Sequence, residues 1–181
     1  MLHVDGVPDE LWEVLRGHLW HATSSTNARS ILDSKKIKHD IPEAFYCDAF
    51  VRSFGGVSLF DFRVPPNALQ LDPSSWRGWL GREKRAPVAV WFRIDVNACA
   101  QDSIIEPAAL FGMWQCYGGN LKILPAVEAA HVGPVPIDAI ASVLLIDAFD
   151  SRRFLQLEHV ALMHCVLPKF SKGNLNARRY R

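Results

Sequence analysis

Three polar residues, a histidine, a serine and a glutamate, lie where their side chains could bind or act on a ligand. The histidine, His21, follows the apolar pair Leu19-Trp20 and precedes Ser24-Ser25-Thr26, a run in which any member can cap a helix. A side chain between a strand and a helix N-terminus can face a cleft toward which the helix N–H groups also point. The alternative is a half-buried histidine whose ring is satisfied by a backbone group.

The second feature is the glycine pair Gly55-Gly56, followed by Val57 and Ser58. Glycine lets the backbone approach a ligand closely or adopt an unusual turn, and Ser58 then points to one face of a strand. A glycine pair before a strand also occurs in a plain turn, so both interpretations stay open.

The third feature is Glu128, which has apolar neighbours on both sides within residues 126–130. These neighbours predict a strand in the protein interior, where a carboxylate is costly unless it is paired or hydrogen-bonded. Catalysis is one reason to keep a carboxylate there. The other interpretation is an edge strand whose glutamate faces water.

Short helices and strands follow one another irregularly, and they must position these three residues. Because no regular βαβ alternation appears, the sequence favours an α+β fold over a doubly wound parallel sheet. Apolar residues fall on all sides of 106–114, which predicts a well-buried helix, and 38–53 is predicted to be a loop. The predicted helices are 9–16, 23–35 with its cap, 74–80, 95–97 and 106–114; the predicted strands are 19–23, 57–60, 88–94, 123–131, 141–146 and 154–166.

The composition is that of one globular domain: 181 residues, 49% hydrophobic and 22% charged. The expected core is 19–166, followed by a basic tail at 169–181. The net charge of +1 provides no global field for a polyanion or a membrane surface. Residues 1–9 lack the pattern of a secretory signal, and no apolar run approaches the roughly 20 residues of a membrane span, so a cytoplasmic protein is expected.

Four cysteines are scattered along the chain without a C-x-x-C pair. This spacing disfavours a zinc site and a redox dithiol, so no metal is expected. Reduced and mostly buried thiols are the simplest expectation for Cys47, Cys99, Cys116 and Cys165.

In their order, these features resemble the motifs of the ADP-ribosyltransferase superfamily, which includes poly(ADP-ribose) polymerases and bacterial toxins that modify DNA or protein. Residues 19–32 (LWHATSSTNARSIL) are similar to the strand with the NAD-binding histidine and the helix with an Asn and an Ile-Leu pair. Residues 54–61 (FGGVSLFD) resemble the second motif, a glycine-rich lead into a strand bearing a Tyr or Ser. Residues 127–140 (VEAAHVGPVPIDAI) are similar to the third motif, a strand with the catalytic glutamate, a proline turn and another strand.

The resemblance covers residues 19–146 and implies split mixed or antiparallel sheets with short flanking helices around an NAD cleft. At two positions the sequence departs from the motifs of particular subgroups, and these departures narrow the set of subgroups that it resembles. Ser58 stands where the polymerases carry a Tyr, which implies a toxin-like mono-transferase or a phosphotransferase relative. Ala126 stands two residues before Glu128, where the arginine-modifying subgroup carries a Glu or Gln, so arginine is a disfavoured acceptor.

The resemblance implies that the protein takes NAD⁺ as substrate, cleaves its nicotinamide–ribose bond and transfers ADP-ribose to a macromolecule. Positive charge develops on the ribose in that reaction, so a fixed anion and a rigid grip on the leaving base are needed. The implied catalytic residues are Glu128 as the anion, His21 as a ribose ligand and Ser58 beside the ribose. The other implied NAD contacts are Ala22, Thr23, Asn27, Tyr46, Arg52 and Phe54, with Tyr46 or Phe54 on the nicotinamide and Arg52 or Arg29 on the diphosphate.

Two other functions stay open. An enzyme of the same fold could transfer a 2′-phosphate from RNA to NAD⁺, although this near-neutral chain offers few clustered cations for RNA phosphates. A non-catalytic module could bind a nucleotide or a protein. The favoured interpretation is a bacterial toxin or effector, with an antitoxin or immunity protein as partner and with a protein or nucleic acid as acceptor.

Overall fold

Antiparallel strands form the middle layer of the protein in a computed structural model, which describes residues 6–39, 48–63, 73–81, 86–100 and 102–171. The strands are β1 (Leu19–Ser24), β2 (Lys36–Ile37), β3 (Gly56–Asp61), β4 (Val88–Ile94), β5 (Ile104–Ile105), β6 (Glu128–Val132), β7 (Val135–Pro136), β8 (Ile140–Asp147) and β9 (Phe154–Leu157). Seven of them lie side by side in the order β5, β6, β3, β1, β4, β8, β9, and all neighbours are antiparallel. The strands β2 and β7 pair in a separate antiparallel ribbon.

Helices cover both faces of this sheet, so the fold is α+β, as the sequence predicted. Ser24 begins the second helix because its hydroxyl accepts a 3.1 Å hydrogen bond from the N–H of Asn27. The helices are α1 (Asp9–Leu15), α2 (Ser25–Ser34), α3 (Phe50–Ser53), α4 (Pro73–Gly81), α5 (Pro107–Cys116) and α6 (Met163–Ser171), with 3₁₀ turns at Val96–Ala98, Ile137–Ala139 and Val160–Leu162.

One face of the sheet, which we call the α2 face, is closed by α2 and α6. Ala28, Ile31 and Leu32 of α2 recur at helical spacing and are buried in one cluster with alternate strand residues such as Val90 and Leu145. This cluster, which we call the α2 cluster, is the larger part of the core.

The opposite face, which we call the α1 face, carries two neighbouring clusters. The first is aromatic and includes Phe62 and Trp76 of α4, whose ring centroids lie 4.7 Å apart. The second joins Phe50 of α3 and Leu110 of α5 to Ala130 of β6. On the α1 face, side chains of β3 and β6 therefore lie between these two apolar clusters.

The strand that carries Glu128 is shorter than the sequence predicted. It begins at Glu128 instead of residue 123, because the preceding residues form a turn. Pro125 lies in that turn, and Ala126 has a φ of +67°, which an extended strand does not allow. Glu128 is thus the first strand residue and not the centre of a strand.

Three other predictions were wrong in part. The run 154–166 is a strand only to Leu157, and its second half becomes α6, where Met163, Leu167 and Phe170 face the α2 cluster at helical spacing. Residues 50–53, predicted as loop, form α3 because Phe50 and Val51 are fully buried. The helix α5 is not well buried, since a helix that is apolar on all sides can turn only one side to a sheet.

The cysteine prediction was also wrong in part. Cys99, Cys116 and Cys165 are free thiols, but Cys116 and Cys165 are exposed and Cys99 is half-buried. Cys47, most of the predicted loop 38–53, the polar insert 82–85 and the tail beyond 171 lie outside the described residues. Among the helices described, none is long and apolar enough to cross a bilayer.

Candidate functional site

The strands β1 and β3 separate after two paired positions. Their register includes only Leu19 with Asp61 and Trp20 with Phe60, whereas β1 pairs with β4 along all of its residues as far as Ser24. From His21 onward, the edge of β1 that faces β3 therefore has main-chain N–H and C=O groups without a ladder partner on β3. This opening between neighbouring strands is the candidate site.

His21 is the first residue of β1 beyond the paired segment, and its side chain spans the opening. Its Nδ1 lies 3.0 Å from the backbone carbonyl oxygen of Ser58 on β3. A carbonyl can only accept, so Nδ1 carries the proton and the neutral ring keeps a lone pair on Nε2. Burial lowers the pKa of His21 below its usual range, and the hydrogen bond to Ser58 offsets this only in part. The ring is therefore neutral at neutral pH, with Nε2 as an acceptor.

Ser58 connects this histidine to the glutamate. Its hydroxyl donates a 2.6 Å hydrogen bond to Oε1 of Glu128, while its backbone carbonyl accepts from His21. Ser58 is paired with Ala130 and Glu128 with Phe60, so both side chains lie on the α1 face of adjacent strands, one diagonal step apart. The structure therefore brings the three predicted residues into one hydrogen-bonded chain.

These residues do not share one face of the sheet. Trp20 belongs to the aromatic cluster of the α1 face and Leu19 to the α2 cluster, so alternation directs His21 toward the α2 face. The ring reaches Ser58 from that side, through the opening. The alternative interpretation from the sequence, a half-buried histidine whose ring bonds to a backbone group, also describes His21 correctly.

Glu128 is a buried carboxylate whose two oxygens are both held by the protein. Only 4% of the residue is exposed, so the interpretation of an edge glutamate facing water was wrong. Oε2 accepts a 2.7 Å hydrogen bond from the backbone N–H of Leu124, and the N–H of Glu128 donates to the Leu124 carbonyl at 3.0 Å. Burial raises the pKa of Glu128 above its usual range, against the opposing effect of the bonds from Ser58 and Leu124.

The Leu124 N–H is a functional group that sequence reasoning missed. A backbone donor leaves no side-chain signature, and this one is aimed by the turn that contains Ala126 at φ +67°. The proline at 125 was the available sign that the chain turns there instead of continuing as a strand.

The glycine pair has two separate structural roles. Gly55 has a φ of +75°, which favours glycine, so the turn interpretation holds for it. Gly56 allows close approach, because a Cβ there would lie 2.7 Å from Val51 Cγ1 and 2.8 Å from Phe54 Cε2. The neighbour that needs this space is α3 and the residue after it, not a ligand. Phe54, proposed to stack on nicotinamide, packs half-buried against Gly56 and Phe50.

The remaining predicted contacts are spread along β1, α2 and α3. Ala22 and Thr23 follow His21 on β1, and Asn27 lies in the first turn of α2, where its backbone N–H caps onto Ser24. Arg52 is half-buried in α3, and Tyr46 lies outside the described residues. Arg29 is exposed on α2.

His131, expected to point away from Glu128, does so. It alternates with Glu128 along β6 and is buried on the α2 face, and its Nδ1 lies 3.1 Å from the Gly133 carbonyl oxygen.

Chemically, the site offers a neutral imidazole acceptor, a buried carboxylate and a stretch of β1 that has no ladder partner on β3. No protein-family model matches the chain, and a search of curated proteins finds no match.

Proposed function

We propose that the protein is a mono-ADP-ribosyltransferase that cleaves NAD⁺ and transfers ADP-ribose to a macromolecular acceptor. The observation that carries the proposal is the hydrogen-bonded chain of His21, Ser58 and Glu128 at the opening between β1 and β3. These are the three residues at which the sequence resembles the ADP-ribosyltransferases, and they lie on three different strands. An accidental resemblance of short segments gives no reason for them to meet. The proposal includes an ADP-ribosyltransferase type of fold.

The reaction needs an anion near the ribose. The bond between ribose C1′ and the nicotinamide nitrogen breaks, and its electron pair leaves with neutral nicotinamide, so positive charge develops on C1′. The Glu128 carboxylate, fixed by Ser58 and Leu124, supplies a preorganised negative charge in a site of low dielectric. The acceptor then forms the new bond to C1′, and its proton passes to the carboxylate, whose raised pKa suits that role.

Orientation of the substrate is assigned to His21 and to the edge of β1. The lone pair on Nε2 can accept a hydrogen bond from a ribose hydroxyl, and it is available because Nδ1 is already used by Ser58. The main-chain edge of β1 near Ala22, which has no ladder partner on β3, can pair with the carboxamide of nicotinamide, as a neighbouring strand would. A rigid grip of this kind lowers the entropic cost of reaching the transition state.

The experiment compares nicotinamide release from NAD⁺ by the wild-type protein and by Glu128→Gln. The amide can keep both contacts: its oxygen accepts from Leu124, and its NH₂ donates to the Ser58 hydroxyl oxygen. The variant should therefore stay folded while it loses the charge, and nicotinamide release should fall by about a thousandfold.

The matched control is Glu158→Gln, which changes an exposed glutamate after β9 and should leave the rate unchanged. A wild-type protein that releases no nicotinamide, alone or with a cell lysate, would leave the non-catalytic module as the better interpretation. Equal rates for wild type and Glu128→Gln would contradict the role given to Glu128.

A further inference from the structure

One side of α5 and the loop after it form a partly exposed aromatic surface, in which Phe111 and Trp114 are half-buried and Tyr117 contacts Phe50 edge-on with ring centroids 5.6 Å apart. Phe111 and Trp114 stack with centroids 5.4 Å apart, and Tyr117 is 72% exposed. The exposed Leu121 follows, and its backbone carbonyl accepts a 2.7 Å hydrogen bond from the indole of Trp114. We call these four residues the α5 shelf.

The shelf is rigid because its loop is bonded at several points. Gly119, with a φ of +69°, lies against the Trp114 ring, where a Cβ would be 3.2 Å from that ring. The N–H of Lys122 donates to the carbonyl of Asp48, and the N–H of Phe50 donates to the carbonyl of Lys122. A surface held in this way presents apolar area without a large entropic cost on binding.

The shelf also lies beside the candidate site. Leu110 of α5 packs on Ala130, which is two residues from Glu128 on the same face of β6. The loop that contains Leu121 continues directly to Leu124, whose N–H holds the Glu128 carboxylate. A molecule bound on the shelf is therefore close to the proposed reacting group.

Within the described parts of the chain, the charges on and around the shelf do not suit a nucleic acid. Residues 107–127 contain one charged residue, Lys122, and its ammonium lies 2.7 Å from Asp48. At the start of α5, Glu106 has a side chain that is 74% exposed, and Arg63 is paired with Asp61 at 2.6 Å and with Glu106 at 3.9 Å. Because nucleic acids bind chiefly through cations on their phosphates, an uncharged aromatic surface with an acidic neighbour favours a protein.

We propose that the acceptor is a protein and that an apolar segment of it docks on the α5 shelf. This inference rests on the proposed transfer of ADP-ribose and adds to it the class of acceptor and the surface that selects it. The contact energy of such a segment is concentrated on exposed aromatic and aliphatic side chains, here Tyr117 and Leu121.

The test uses NAD⁺ labelled in its adenylate part, the full-length protein and a cell lysate. Label should become attached to material that protease removes and nuclease does not. Tyr117→Ser and Leu121→Ser should each reduce this labelling by about tenfold, the loss expected when an interface anchor is removed. Both variants should release nicotinamide without lysate as fast as the wild type, which also shows that they are folded.

Phe149→Ser is the matched control, because Phe149 is 76% exposed at the turn after β8, away from α5. It should change neither labelling nor nicotinamide release. Label that nuclease removes, or shelf variants that label protein as well as the wild type does, would overturn this inference while leaving the proposed activity intact. Absence of nicotinamide release from the wild type would instead overturn the proposed activity.

Discussion

The two halves of the sheet are built on different principles. The strands β4 and β8 pair from Val88–Asp147 to Ile94–Ile140, and their side chains are buried in the clusters of both faces. The strands β1 and β3 share two pairs and then separate, and the groups beside the opening are an imidazole, a hydroxyl and a carboxylate. Burial of apolar surface stabilises the first half, whereas the second half keeps polar groups buried at a cost.

This difference places the packed core and the proposed reaction in separate parts of one sheet. In the first half, the apolar residues contribute through area removed from water and through close packing. In the second half, hydrogen bonds hold the geometry, and β1 beyond Trp20 does not pair with β3. Substitutions in the two halves should therefore act on different measurements.

Leu145→Ala in β8 should have the largest effect on stability and none on catalysis. Leu145 is fully buried in the α2 cluster, so its truncation should lower the free energy of unfolding by about 3 kcal/mol. Urea unfolding measures this loss. Nicotinamide release per folded molecule should not change, and a fall in that rate would break the separation between the two halves. Leu162→Ala, at a residue that is 40% exposed, is the matched control.

Ser58→Ala should have the next largest effect, on catalysis. It removes the hydrogen bond to Glu128 and leaves the backbone carbonyl that holds His21. Nicotinamide release should fall by about tenfold, which corresponds to one hydrogen bond to a charged group. Ser34→Ala, whose hydroxyl donates to a backbone carbonyl at the end of α2, should leave the rate unchanged.

The pH dependence of the same variant sharpens this result. Activity requires ionised Glu128, so the rate should fall as pH is lowered through its raised pKa. Because the Ser58 bond opposes that rise, Ser58→Ala should move the acid limb of the rate profile to higher pH. A limb that stays in place would mean that Ser58 does not act through the carboxylate.

Stability should also depend on pH through Glu128. The folded-state pKa lies above the unfolded value, so the folded protein keeps this proton to higher pH than the unfolded chain does. Stability therefore decreases as pH rises through that window, and Glu128→Gln removes the decrease. The stability advantage of Glu128→Gln over wild type should be absent below the ordinary glutamate pKa and should grow toward neutral pH.

Ser142→Ala should have the smallest effect and the opposite sign. Ser142 is fully buried in β8, and its hydroxyl has no hydrogen-bond partner among the described residues. Removing that hydroxyl should stabilise the protein by about 1 kcal/mol, which thermal unfolding would detect. The same Ser34→Ala control should give no such gain, since its hydroxyl is bonded. A loss of stability in Ser142→Ala would show that the apolar half also depends on a polar contact.

The apolar half was also the easier half to predict. The bounds of β4 follow from a seven-residue run in which every residue except Arg93 is β-branched, aromatic or apolar, and the structure confirms both of its ends. The prediction of secondary structure failed where contacts between residues far apart in sequence, or a local turn, determine which element forms. The Leu124–Glu128 turn ends a strand predicted from apolar residues, and α6 replaces a strand because its apolar residues face the α2 cluster.

The candidate site falls between these cases. His21, Ser58 and Glu128 were identifiable because each stands out in its own segment, but their connection depends on strands far apart in sequence. Neither the carbonyl of Ser58 nor the N–H of Leu124 leaves a mark on residue type. The exposed side of α5 was hidden by a composition that is apolar throughout.

Ser58 contributes twice, through its main-chain carbonyl toward His21 on β1 and through its hydroxyl toward Glu128 on β6. The register of β3 therefore determines the positions of both the imidazole and the carboxylate. A slip of one residue would replace the hydroxyl with an aliphatic side chain from Val57 or Leu59. Tight packing at Gly56 and the 3.1 Å bond from the Gly133 N–H to the Gly55 carbonyl fix that alignment at the start of the strand. By fixing the register of β3, the glycine pair determines which residue of this strand bonds to His21 and Glu128.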